Sequence, residues 1–148
     1  MNVTRNQQHY IIMTVIYDEL VDFYHGGGNV FRDARELISE ISGCSFEEVD
    51  DYIKNTITYA LNKYGEIKAR LEPNLNNWKW ERIPILSQAI LLMSCAHYFY
   101  VEKVDKVVVI DVAVRLAKKY VDEKQAKFIN ALLDGVLKWT NYQELYTL

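Results

Sequence analysis

The chain has little of what most small-protein chemistries require. Its two cysteines, Cys44 and Cys95, stand far apart with no CxxC or CxxH spacing, which excludes a disulfide framework and a cysteine zinc site. Both are expected to be buried and to serve as small hydrophobes. The three histidines, His9, His25 and His97, are scattered, and none stands at metal-ligand spacing from another histidine or a cysteine. Cys95 and His97, two residues apart, point to different sides of a helix. The carboxylates Glu47, Glu48, Asp50 and Asp51 crowd the start of an expected helix, where they complement its dipole and need no catalytic explanation. No metal, no cofactor and no enzymatic activity is therefore expected. Long apolar runs are also missing. Arg5, Asp18, Glu19 and Asp22 interrupt the first apolar stretch and Lys103, Asp105 and Lys106 bound the longest, so nothing reaches the ~18 to 20 residues of a membrane span. The first residues lack the small-residue cleavage site of a signal peptide. A cytoplasmic protein with no membrane association is the expectation.

What the chain does have is one domain's worth of residues, 148 in all, half apolar and a quarter charged. Its net charge is -3, but the distribution is lopsided: residues 1–60 carry four basic and ten acidic side chains, residues 61–148 thirteen and ten. A phosphate responds to local potential, so any nucleic-acid contact is expected mainly from the second half.

The hydrophobic period is helical almost throughout. Ile12, Val15, Ile16 and Leu20 fall at steps of three and four, predicting a first helix over residues 4–24. Gly26-Gly27-Gly28 then stops it with left-handed dihedrals and, lacking a following Gly-Lys-Ser/Thr, is no phosphate loop. A second helix is expected over 31–41, ended by Gly43. Ser45 and Glu48 have capping-box spacing for a third helix reaching residue 64. A shorter helix over 66–72 should end before Pro73, which disfavours helical dihedrals at the residue preceding it. Asn74-Leu75-Asn76-Asn77 is then the best boundary, separating an amino-terminal subdomain (about 1–73) from a carboxy-terminal one (about 78–148) with helices over 83–101, 107–120 and 122–142. Val107-Val108-Val109-Ile110 is β-branched but runs into helix formers, so it opens a helix. The whole, 1–148, reads as one all-α domain of six or seven helices.

Several side chains fit contact with RNA. Arg115, Lys118 and Lys119 lie at steps of three and four, so their charged groups share a helix face; a solvated face is the competing reading, supported by Asp111 and Asp122 four residues from Arg115 and Lys118. Lys124, Lys127 and Phe128 offer a ring flanked by two cations, on which a base could stack, against a core position beside Ile129 and Leu132. Trp78 and Trp80 with Lys79 and Arg82 look like a nucleic-acid patch in isolation, but two tryptophans at a helix entry are expected to be core plugs, with Lys79 and Arg82 on the other side as candidates for backbone contact. Tyr10 and Tyr17 on the first helix are the tyrosines that could face a protein partner.

The second half resembles the NusB family. Asn77-Trp78-Lys79-Trp80-Glu81-Arg82-Ile83 looks like the family's entry into its central helix, and Ala89-Ile90-Leu91 like the start of its Ala-Ile-Leu-Arg helix, with Leu92 in place of the arginine. Residues 110–119 resemble its Ile-Asn-Glu-Ala-Ile-Glu-Leu-Ala-Lys segment, and residues 127–134 its Lys-Phe-Val-Asn-Gly-Val-Leu-Asp segment, with Ala131 for the glycine. The family commonly carries an amino-terminal arginine cluster; here Arg5 is followed by Asn6, Gln7, Gln8 and His9. The resemblance implies a double helical bundle that binds boxA-type single-stranded RNA together with NusE, the small-subunit ribosomal protein, within the RNA polymerase antitermination complex and in ribosomal RNA synthesis. It implies RNA contact by Arg5 and a partly exposed Phe128. A homodimer is a further possible assembly. Two other readings stand beside it. One is a protein-protein adaptor of the same fold with weak or lost RNA binding, suggested by the thinned arginines. The other is an RNA-recognition accessory module for ribosomal RNA modification, disfavoured because no methyltransferase follows Leu148.

Overall fold

The computed structural model describes residues 3–26 and 30–139. Seven α-helices and no strand occur among them: α1 (Arg5–His25), α2 (Ala34–Ser42), α3 (Asp51–Asn62), α4 (Tyr64–Leu71), α5 (Ile85–Ala96), α6 (Lys106–Tyr120) and α7 (Glu123–Val136). None of these helices is long and apolar enough to cross a membrane. The expected end of the last helix at residue 142 lies outside the described residues.

Helix α5 organises the packing. Every residue from position 87 to 96 is buried, the pattern of a helix surrounded on all sides. It packs against α1, α3 and α4 on one side and against α6 and α7 on the other, and α6 and α7 form an antiparallel hairpin with Val121 and Asp122 at its turn. Gln88, fully buried on α5, supports the chain entering that helix: its amide nitrogen donates to the carbonyls of Trp80 (2.9 Å) and Ile83 (3.1 Å), and its Oε1 accepts from the Tyr24 hydroxyl (2.8 Å). Trp80 is itself buried and donates its indole N–H to Tyr64 at 2.9 Å.

Helix ends follow local chemistry, and here some sequence expectations need correction. The capping box is at Thr4, whose Oγ1 accepts from the Gln7 amide while Gln7 Oε1 accepts from the Thr4 amide. The Ser45 side chain makes no cap bond. Residues Phe46–Glu48 form only a 3₁₀ turn, because Val49 adopts an extended conformation that buries its side chain, and α3 begins afresh at Asp51. Helix α2 starts at Ala34, three residues later than expected, because Asp33 caps it by accepting from the amides of Arg35 and Glu36. Gly43 ends α2 at φ 71°, the left-handed cap expected of it. Gly26 ends α1 with φ −84° instead of a left-handed angle, and Gly27 and Gly28 lie outside the described residues. Pro73 does not force its predecessor out of helical space. Glu72 is right-handed helical (φ −55°, ψ −43°) and the chain tightens into a 3₁₀ turn over Glu72–Asn74. The β-branched run at 107–110 does open α6, with Asp105 capping Val107. Of the two cysteines, Cys95 is buried as expected, whereas Cys44 is only half-buried, beside Ser42.

Candidate nucleic-acid interface

Beyond α5 the chain makes a π-helical turn over His97–Val101. This turn brings the Glu102 carboxylate back onto the imidazole, with His97 Nε2 2.7 Å from Glu102 Oε1. The nearly buried His97 also faces the Tyr52 hydroxyl through Nδ1 at 3.4 Å. Donation from Nε2–H to the carboxylate leaves Nδ1 to accept from Tyr52. Burial lowers the pKa of His97 and that of its neighbour His9, the latter to about 4, with the positive charges of Arg5 and Arg115 adding to the effect on His9. Both rings are therefore neutral near pH 7.

Arg5 closes this group from outside. Its guanidinium lies 3.6 Å from the centre of the Tyr52 ring and its Nη2 is 3.1 Å from Glu102 Oε1. Its side chain remains half-exposed. One turn further along α1, Tyr10 packs on Tyr120 of α6 with 5.3 Å between ring centres. Lys119 joins Val3, Asn6, Gln7, Tyr10, Ile11 and Tyr120 around an open recess of about 410 Å3. The amino-terminal turns of α1 and the end of α6 thus form one surface carrying Arg5, Arg115 and Lys119, with Tyr10 at its centre. Tyr17, one further heptad along α1, is half-buried against the core.

A second feature lies across the α6–α7 turn. Trp80 is the core plug expected of it, but Trp78 is 54% exposed. The reason is local: Asn76 takes a left-handed φ of 56°, and the tight turn from Leu75 to Trp78 leaves the indole outside the bundle. Phe128 on α7 is half-buried, with its ring centre 6.4 Å from that of Trp78 and the planes 49° apart. Between them opens a cleft of about 130 Å3, completed by Ile83, Pro84, Lys124 and Gln125. Gln125 is held by the Ser87 hydroxyl, which donates to its Oε1 at 2.8 Å.

The cations expected from the sequence fall into four groups. Arg5, Arg115 and Lys119 surround the start of α1, and Lys124 lines the cleft. Lys118 and Lys127 are exposed on α6 and α7 near their shared turn, and Lys79 and Arg82 are exposed on the segment following Trp78. Arg115 bonds to Asp111 at 3.2 Å, whereas no ion pair joins Lys118 to Asp122 among the described residues. Trp78 was expected inside the bundle, and Gln125, like Tyr52 and Glu102, was not singled out in the sequence. The only signal for the first was its position directly after an asparagine-rich turn, where no helical stripe fixes a side chain inward.

An all-helical bundle with a central buried helix and a cation-rich terminal hairpin matches known proteins closely. The NusB family profile matches residues 28–138. Transcription antitermination protein NusB of Listeria monocytogenes is 33% identical over 90 residues, covering 61% of this chain and 70% of the relative. That of an Exiguobacterium strain is 35% identical over 92 residues, covering 62% and 72%. T. maritima NusB superposes over the full length of both chains with a TM-score of 0.72 at 20% identity. A chain from a crystal structure of a plectonemic RNA supercoil superposes with a TM-score of 0.68 at 22% identity, covering 97% of this chain and 99% of that one. The chain belongs to the NusB family of transcription antitermination proteins, which are non-enzymatic factors.

Proposed function

We propose that this antitermination protein binds boxA-type single-stranded RNA together with NusE and acts by assembly on RNA polymerase during ribosomal RNA synthesis. The observation that carries this reading is the arrangement around the α6–α7 turn. Lys119 and Tyr120 face the start of α1 on one side, Lys124 and Phe128 face Trp78 on the other, and Lys118 and Lys127 stand exposed nearby. Single-stranded RNA needs this combination, with cations along the backbone path and aromatic faces for unstacked bases. Backbone contact is assigned to Arg5, Lys79, Arg82, Arg115, Lys118, Lys119, Lys124 and Lys127, and stacking to Phe128. Tyr10 and Tyr17 are assigned to the protein partner, Tyr10 through its exposed face.

Two measurements test the proposal. Titration of a boxA-like oligonucleotide at several salt concentrations is expected to show binding that weakens with salt, and co-elution with NusE is expected to give a one-to-one complex at micromolar concentration. Absence of RNA binding with the NusE complex intact supports the second reading, an adaptor of the same fold. One observation favours that alternative: Arg5, the remaining amino-terminal arginine, is already engaged by Glu102 and Tyr52.

A further inference from the structure

We infer that the cleft between Trp78 and Phe128 is a slot for one unpaired RNA base, with Trp78 as the stacking wall and Gln125 as the group that reads the base edge. The inference rests on the RNA-binding reading above and specifies one of its contacts.

Four observations converge on it. A tryptophan 54% exposed on a described surface where Trp80 is fully packed is not there to fill the core. Its indole and the Phe128 ring, 6.4 Å apart and tilted by 49°, diverge instead of stacking on one another, which leaves a wedge between their faces. The wedge, about 130 Å3, has room for one flat ring and opens to solvent. Its rim carries Lys124, with Lys127 one turn along the same helix and Lys79 and Arg82 following Trp78 in the chain, so a ring that enters attached to a phosphate backbone finds counter-charge at the mouth. A neutral apolar ligand would gain nothing from that rim.

Gln125 sets which edge is preferred. Its Oε1 accepts from Ser87, a fully buried residue of α5, so the amide is held in one orientation. Its amide nitrogen makes no hydrogen bond among the described residues and can donate into the cleft. A donor at that place favours a base with an exocyclic carbonyl, such as uracil, over adenine, whose edge there presents an amino group.

The test uses the full chain with short oligouridine and oligoadenine ribonucleotides, read by fluorescence anisotropy of a labelled RNA. Trp78→Ala is expected to weaken oligouridine binding about 5- to 150-fold, the loss of one base-aromatic stack, with an unchanged slope of log affinity against log salt. Trp78→Phe, which keeps an aromatic face, is expected to recover most of that loss. Because Trp78 is exposed, its removal should leave thermal unfolding nearly unchanged. Gln125→Leu is expected to reduce the preference for oligouridine over oligoadenine about threefold or more, the scale of one hydrogen bond. If the parent binds RNA and Trp78→Ala binds equally well, the slot is overturned while the RNA reading stands. A parent that binds neither oligonucleotide overturns both. Loss of NusE co-elution in Trp78→Ala with RNA affinity unchanged overturns the inference by giving the cleft to the protein partner. An unaltered base preference in Gln125→Leu removes the edge-reading role.

Discussion

The Arg5 guanidinium carbon lies over the Tyr52 ring, 3.6 Å from its centre, while Nη2 sits 3.1 Å from Glu102 Oε1. The single arginine at the start of α1 is therefore held on the body of the protein by a carboxylate that would have to release it, or share it, for a phosphate to be bound. Glu102→Gln removes the competing charge while its amide oxygen still accepts from His97. The variant is predicted to bind boxA-like RNA severalfold more tightly than the parent, and Arg5→Gln more weakly. Both sites are half-exposed, so stability should change by no more than about 1 kcal/mol. Equal RNA affinity in all three proteins would remove Arg5 from the interface.

The buried histidines make stability depend on pH. His9 has its pKa lowered from 6.5 to about 4, by burial first and then by Arg5, Arg115 and His97, and burial also lowers that of His97. A histidine whose folded pKa lies below its unfolded value binds its proton more readily in the unfolded chain. Its contribution is complete above about pH 6.5 and is lost as the pH falls towards 4. The unfolding free energy from urea titration is predicted to be lower at pH 5 than at pH 7.5 by an amount on the order of 1 to 3 kcal/mol, and His9→Leu is predicted to shrink the fall. A larger fall in His9→Leu would contradict the assignment.

Gln88 satisfies two carbonyls and a hydroxyl in the centre of the molecule. Gln88→Leu keeps most of the volume but takes this donor from the Ile83 carbonyl, while the Trp80 carbonyl keeps the Ile83 amide at 3.0 Å; a buried polar group left unpaired costs about 1 to 3 kcal/mol. Chemical denaturation is predicted to show a loss of about 1 to 3 kcal/mol. A change below about 0.5 kcal/mol would mean that water replaces the side chain.

Much of this fold was legible because its helices bury wide apolar faces and its caps are local. The stripe of α1, the left-handed Gly43 and the all-round apolar α5 each follow from neighbours within a few residues. The failures came where burial elsewhere overrode a local signal. Ser45 and Glu48 have capping-box spacing, but the extended, buried Val49 interrupts the helix they would start. Trp78 reads as a plug by residue type, and only the turn at Asn76 shows that it faces outward. The cations were found as a pattern on α6 and α7. The group around Arg5 was not, because Arg5, Tyr52, His97 and Glu102 come from three separated stretches of chain and meet only after the bundle closes.

Whether RNA runs across the α6–α7 turn is decided by replacing Lys118, Lys119 and Lys124 together with glutamine and titrating a boxA-like oligonucleotide at three or more salt concentrations. All three side chains are exposed, so the fold should survive. The triple variant is expected to bind more weakly, with a log-log salt slope flattened by roughly 0.7 per lost phosphate contact, about 2 in all. Affinity and slope equal to those of the parent would contradict it and would move the RNA to another face of the bundle.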